Sequence, residues 1–131
     1  MFIPAQYFDG EPDPWEKQPA DATKALHVGT ALAFASGKLT PATATTAPEY
    51  ICMEESPADA EGTTKMVHVI RVTPDTLFET ELSEASASIA AGAKYTLDTA
   101  GEKITATTTG GVAEVVSFEG TTAGSHVRVH F

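Results

Sequence analysis

The sequence predicts an all-β protein, a small barrel or sandwich with an extended N-terminal arm. Three observations carry that expectation. Large apolar residues recur at every second position over several short stretches, which is the side-chain period of a strand. Glycine, proline and aspartate punctuate those stretches at close intervals, where turns need them. Almost no stretch has helical periodicity, and short, evenly spaced strands without helices are the pattern of a barrel or sandwich.

Residues 1–24 hold Pro4, Pro12, Pro14 and Pro19 beside Phe2, Ile3, Tyr7, Phe8 and Trp15. Proline lacks the backbone donor that a helix interior or an inner strand needs, yet this stretch has apolar surface to bury. It is read as an extended arm, 1–24, ahead of a β-domain, 25–131. Two placements are open for the arm: a strap over the protein's own core, or a strap onto a neighbouring subunit.

From Ala25 to Ala35 the larger apolar residues Leu26, Val28, Leu32 and Phe34 alternate with small or polar ones, which predicts a strand, with Gly29 marking a bulge or break. Ser36-Gly37 turns the chain into a short strand over Lys38-Leu39-Thr40, and a Thr- and Ala-rich loop runs from Pro41 to Pro48. Tyr50–Glu54 and Lys65–Thr73 read as strands around a polar loop. Met66 to Val72 is apolar on both faces, which suits an inner strand. Pro74-Asp75 interrupts the pattern and Thr76–Leu82 resumes it. Ser83–Ala91 is the one helix candidate, but its serines and its single large apolar residue, Ile89, reduce it to a loop or one turn. Lys94–Leu97, Glu102–Thr109 and Val112–Glu119 are expected as strands, the last two joined by a Gly110-Gly111 hairpin turn. The final strand, His126 to Phe131, places Val127, Val129 and Phe131 on one face and His126, Arg128 and His130 on the other.

At 131 residues the chain needs only one core. Eighteen acids against eight bases give a formal charge of −10. A nucleic-acid partner calls for the opposite sign, so DNA and RNA are not expected as partners. The acidity is uneven, with ten acids and three bases in residues 1–62 and eight acids and five bases in 63–131. One cysteine, Cys52, leaves no intrachain disulfide. No stretch approaches the ~20 apolar residues of a membrane span, and the start lacks the basic and apolar regions of a signal peptide, so synthesis in the cytoplasm and no membrane partner are expected.

No residue set predicts catalysis. Gly37-Lys38 follows Gly29 with seven residues between the glycines and Leu39 after the lysine, which does not form a phosphate cradle. His126 and His130 share a face but lie roughly 13 Å apart on a strand, too far for one metal ion. Cys52 sits within an apolar strand, where a lone cysteine serves as a small hydrophobe. Asp9, Glu11 and Asp13 alternate as calcium ligands do, but Pro12 and Pro14 interrupt them and the rest of a calcium loop is missing. Glu54-Glu55 and the Glu79/Glu81 pair read as edge charges that discourage stray strand pairing. No enzyme, cofactor or metal is therefore expected.

The tail, with Lys94-Tyr95-Thr96-Leu97, Ile104-Thr105-Ala106-Thr107, the Gly110-Gly111 turn, Val112-Ala113-Glu114-Val115 and a closing Gly124-Ser125-His126-Val127-Arg128-Val129-His130-Phe131, resembles the head decoration, or capsid cement, proteins of tailed bacteriophages. The likeness covers about the last forty residues, with weaker support from Gly29 to Glu55. It implies a β-rich subunit on the virion exterior that binds the major capsid protein, commonly as a homotrimer, and reinforces the shell. On that reading Phe2, Ile3, Tyr7, Phe8 and Trp15 are the candidate capsid or subunit contacts, since aromatic anchors dominate interface energetics. Removing residues 1–20 is then expected to leave the β-domain folded while weakening attachment or oligomerisation. The alternative function is a virion receptor-binding or carbohydrate-binding module whose exposed aromatics stack on sugar rings.

Overall fold

Alternating side chains fold into ten strands and no helix in the computed structural model, which describes residues 1–131. In chain order they are β1 (Ile3–Tyr7), β2 (Trp15–Asp21), β3 (Ala31–Ala35), β4 (Lys38–Pro41), β5 (Tyr50–Cys52), β6 (Thr64–Arg71), β7 (Thr76–Glu81), β8 (Lys94–Tyr95), β9 (Ala113–Phe118) and β10 (His126–His130). Five of them close into a barrel in the order β2-β4-β3-β5-β6, and the other five form an antiparallel sheet in the order β1-β7-β10-β9-β8. The fold class expected from the sequence is the one observed: all-β, a barrel packed on a sheet in a sandwich-like arrangement.

Period two decides where the core lies. On β3, Leu32 points into the barrel lumen, where it joins Leu26, Leu39, Tyr50, Cys52, Val67 and Val69. Its neighbours Ala31 and Ala33 point outward and meet the sheet, in a second cluster with Ile51 and Ile70 of the barrel and Phe78, Val115, Val127 and Val129 of the sheet. Both faces of the barrel strands are thus buried where the sheet covers them. Each fully buried Leu, Ile, Val or Phe contributes about 1.5–3 kcal/mol relative to exposure. Small alanines on the outward face of β3 let the two layers approach closely. The strand read as inner, β6, pairs along one side with β2 from Trp15↔Ile70 to Asp21↔Thr64 and along the other with β5.

The segment expected as an arm is part of this body. Residues 3–7 form an edge strand of the sheet against β7, and residues 15–21 close the barrel against β6. Of the two placements considered, the structure has the segment on the protein's own core. The prolines are tolerated for local reasons. Pro4 stands on an edge strand beside a register shift, Pro12 and Pro14 lie in the connection, and Pro19 is on a strand that meets β4 only at Ala20↔Leu39.

Two other expectations are corrected. Ala25–Ala35 is not one strand: Gly29, at φ +87°, breaks it, and Leu26 makes only an isolated bridge to Ser56. Glu102–Thr109 is not a strand either. Only Ile104 enters the core, bridging Leu82 and Leu97, while the threonines around it are partnered locally, Thr105 with Thr96 at 2.6 Å. Ser36-Gly37 does turn β3 into β4, both residues taking positive φ as a tight hairpin of this hand requires.

Candidate interaction surface

The barrel wall and the sheet face place different residues in solvent. On the outside of the barrel, Trp15 and Pro19 of β2 lie on the same face as Met66 and His68 of β6, with Pro19 directly opposite Met66 and Lys17 opposite His68. Trp15 is 59% exposed and Met66 56% exposed, and the Trp15 and His68 rings stand 6.1 Å apart between centroids. Further along the same outer face Ile70 is covered by the sheet, so this strip is the part of the wall that the sheet leaves open. Glu54 holds the strip's histidine in place, accepting from the His68 backbone N–H at 2.8 Å while its other oxygen lies 3.4 Å from the ring. That backbone bond keeps the Glu54 carboxyl below its usual range.

On the outer face of the sheet the strand register sets one row across four strands: Ile3 opposite Glu79, Glu79 opposite Arg128, and Arg128 opposite Ser117. Glu79 accepts from Arg128 Nε at 3.3 Å through one oxygen and lies 3.0 Å from His126 Nδ1 through the other. These bonds, the histidine's first, hold the Glu79 carboxyl below its ordinary value and raise the His126 imidazole above its own. Lys103 reaches Glu81 at 2.9 Å, lowering that carboxyl and raising the ammonium. A groove of about 590 Å³ runs over this row, and a smaller one of about 260 Å³ continues it past Phe118, the two sharing Glu79, His126 and Arg128.

The five contact candidates do not come together. Phe2 is a correction: at 0% exposure it belongs to the core between the layers, edge-on to Phe131 at 5.3 Å, and offers nothing to a partner. Its burial follows from position, since it immediately precedes β1 and its ring falls on the inner side of the sheet. Ile3 is exposed on the sheet face, half-buried Tyr7 ends β1, Phe8 is 56% exposed just beyond it, and Trp15 lies on the barrel wall. Met66 and the Glu79–Arg128 row escaped the sequence reading. Alternation alone marked Met66 as one face of β6, but only the pairing with β2 puts it beside Pro19, on the face that Trp15 shares.

The remaining chemistry-bearing residues are dispersed. Each histidine has its own glutamate: His27 with Glu55 at 2.7 Å, His68 with Glu54, His126 with Glu79, and His130 with Glu114 at 3.5 Å. Cys52 is buried in the barrel lumen, where desolvation pushes its thiol up, and its Sγ donates to the Glu54 carbonyl. In the β1–β2 connection, Asp9 accepts from the Glu11 N–H and Asp13 from the Thr76 hydroxyl. No group of three or more His, Cys, Asp or Glu is placed to hold a metal ion, and no helix is long and apolar enough to cross a membrane. No family model, curated protein or solved structure matches the chain.

Proposed function

We propose that the protein is a structural virion subunit, a decoration or cement protein that binds the major capsid protein on the outer surface of a tailed-bacteriophage capsid and stabilises the shell. The observation that carries the reading is the barrel-wall strip of Trp15, Lys17, Pro19, Met66 and His68. Tryptophan and methionine are side chains enriched at interfaces, and here they stand exposed at opposite ends of one rigid strip, the tryptophan supplying the kind of anchor that dominates binding energy. The charge of −10 suits a subunit that stays soluble and clear of packaged DNA until a lattice offers its site. As a homotrimer it would present three copies of the strip, and each contact made would raise the effective concentration for the next. The resemblance of the tail to decoration proteins points the same way.

Co-sedimentation with undecorated capsids tests this. The wild-type protein is expected to pellet with the shells and to saturate. Trp15→Ala, checked for native circular dichroism, is expected to need at least about tenfold more protein for half-saturation, the loss of one modest hot spot. Wild-type protein that stays in the supernatant across the whole titration removes the reading.

A further inference from the structure

We infer that the groove on the outer face of the β1-β7-β10-β9-β8 sheet is a binding site for a neutral saccharide, separate from the barrel-wall strip. Its chemistry is polar but internally satisfied. Glu79 is engaged by both His126 and Arg128, and Glu81 by Lys103, so the wall offers fixed hydrogen-bonding groups rather than a free ion. Arg128 spends only Nε on Glu79, and His126 only Nδ1. The terminal amino groups of Arg128 and Nε2 of His126 have no protein partner and line the groove. Beside them, the Glu79 and Glu81 oxygens retain lone pairs. Paired donors and acceptors on planar side chains, locked by one another, match vicinal hydroxyls, which donate and accept together.

The apolar part of the lining sits at one end of the row, where Ile3 is exposed on β1. Phe118 pairs with Val127 of the core, so strand alternation turns its side chain away from the face that carries Ser117 and Arg128. The groove and its continuation, about 590 and 260 Å³, have the volume for a small oligosaccharide. Charge selects among sugars. Glu79, Glu81, Glu102 and Glu119 face Lys103, Arg128 and the Met1 ammonium, with His126 bonded to Glu79, so the lining leaves no unbalanced cation for a carboxylated sugar to pair with and suits a neutral one.

The test is a titration of the ¹⁵N-labelled full chain with neutral trisaccharides of glucose, galactose, mannose and N-acetylglucosamine, and with sialylated counterparts, each to about 10 mM, a range that captures weak single-site binding. At least one neutral sugar is expected to shift the amides of β7, β10 and β9. Arg128→Ala is expected to weaken that binding by about tenfold or more, through loss of a charged hydrogen-bond donor. Arg128→Lys, which keeps the charge and the stem but loses the fork, is expected to weaken it as well, and Trp15→Ala to leave it unchanged. Binding by no neutral sugar, binding by sialylated sugars alone, or binding lost in Trp15→Ala and kept in Arg128→Ala would each overturn the inference. Capsid pelleting is scored separately, so failure of one reading leaves the other readable.

Discussion

The backbone N–H of Phe2 donates to the carbonyl of Gly29 across 2.7 Å, tying the residue before the sheet's edge strand to the turn that precedes β3 of the barrel. Gly29 in turn donates its own N–H to the Cys52 carbonyl at 2.8 Å. The two layers are therefore stitched at a point where the chain has no room for a side chain. A Cβ on Gly29 would lie 2.5 Å from the Met1 Cβ and 2.8 Å from the Phe2 nitrogen, at a φ of +87° that L-residues avoid.

Gly29→Ala is accordingly expected to lower stability by about 2–4 kcal/mol, from left-handed strain and overpacking together. Urea denaturation should show the loss as a lower midpoint at unchanged m-value. An unchanged midpoint would mean that the first residues shift aside freely, and that the stitch is incidental.

Phe2→Ala is expected to cost about 3–5 kcal/mol, the range for truncating a buried aromatic. Deleting residues 1–20 goes further and reverses the expectation drawn from the sequence. It removes β1 and nearly all of β2, which opens the barrel and exposes the length of β6 along with Val67 and Val69. No cooperative thermal transition should remain in the deletion protein. A sharp transition near the wild-type temperature would restore the picture of a dispensable arm.

The contrast shows what was legible in the residues and what was not. The strand over Met66–Val72 could be read because its apolar residues fill both faces, and β10 because Val127 and Val129 alternate with His126 and Arg128. Residues 1–24 misled because four prolines outweighed a short alternation, whereas the sheet edge, the connection and a barely paired flank of β2 each tolerate a proline. Glu102–Thr109 misled for the opposite reason: its alternation was genuine in composition, but threonine is at home in turns as well as strands, and only Ile104 reaches the core. The candidate surfaces depend on pairs far apart in sequence, such as Pro19 with Met66 or Glu79 with Arg128. Register fixes these, and a single sequence does not print its register.

Lys65 gives a further prediction. Its Nζ donates to the carbonyls of Lys24 at 2.7 Å, Ser56 at 3.1 Å and Pro57 at 3.0 Å, fastening two loops at one end of the barrel, and partial burial lowers the ammonium's pKa. Lys65→Met keeps the apolar stem and removes the three donors. Because the site is partly open to water, the loss is expected near the lower end of the range for abandoned hydrogen bonds, about 1 kcal/mol. Hydrogen exchange should quicken at the amides of Leu26 and Asp59, which close these loops against Ser56 and Ala22, while exchange in β9 and β10 stays as it was.

The Glu79 pair with His126 sets a pH dependence whose direction follows from the two shifts. His126 is raised above its ordinary 6.5 by its bond to Glu79, so its contribution is fully present below about 6.5 and is lost as pH rises through the higher folded value. Glu79 is lowered below its ordinary 4.5 by His126 and then Arg128, so its contribution is fully present above about 4.5 and is lost as pH falls through the lower folded value. Both are complete only between these limits. The pair lies at the surface, where screening keeps such contributions small, so the proton itself is the better observable. In an NMR titration His126 should titrate above 6.5 in the wild type and fall back toward that value in Glu79→Gln, where the partner no longer carries charge. Salt at about 1 M, which shortens the screening length to about 3 Å, should shrink the wild-type shift only in part, because the 3.0 Å hydrogen bond to Nδ1 persists when longer-range attraction is gone. A His126 titration indifferent to Glu79→Gln would show that the bond is not kept in solution, and with it the locked geometry on which the saccharide groove depends.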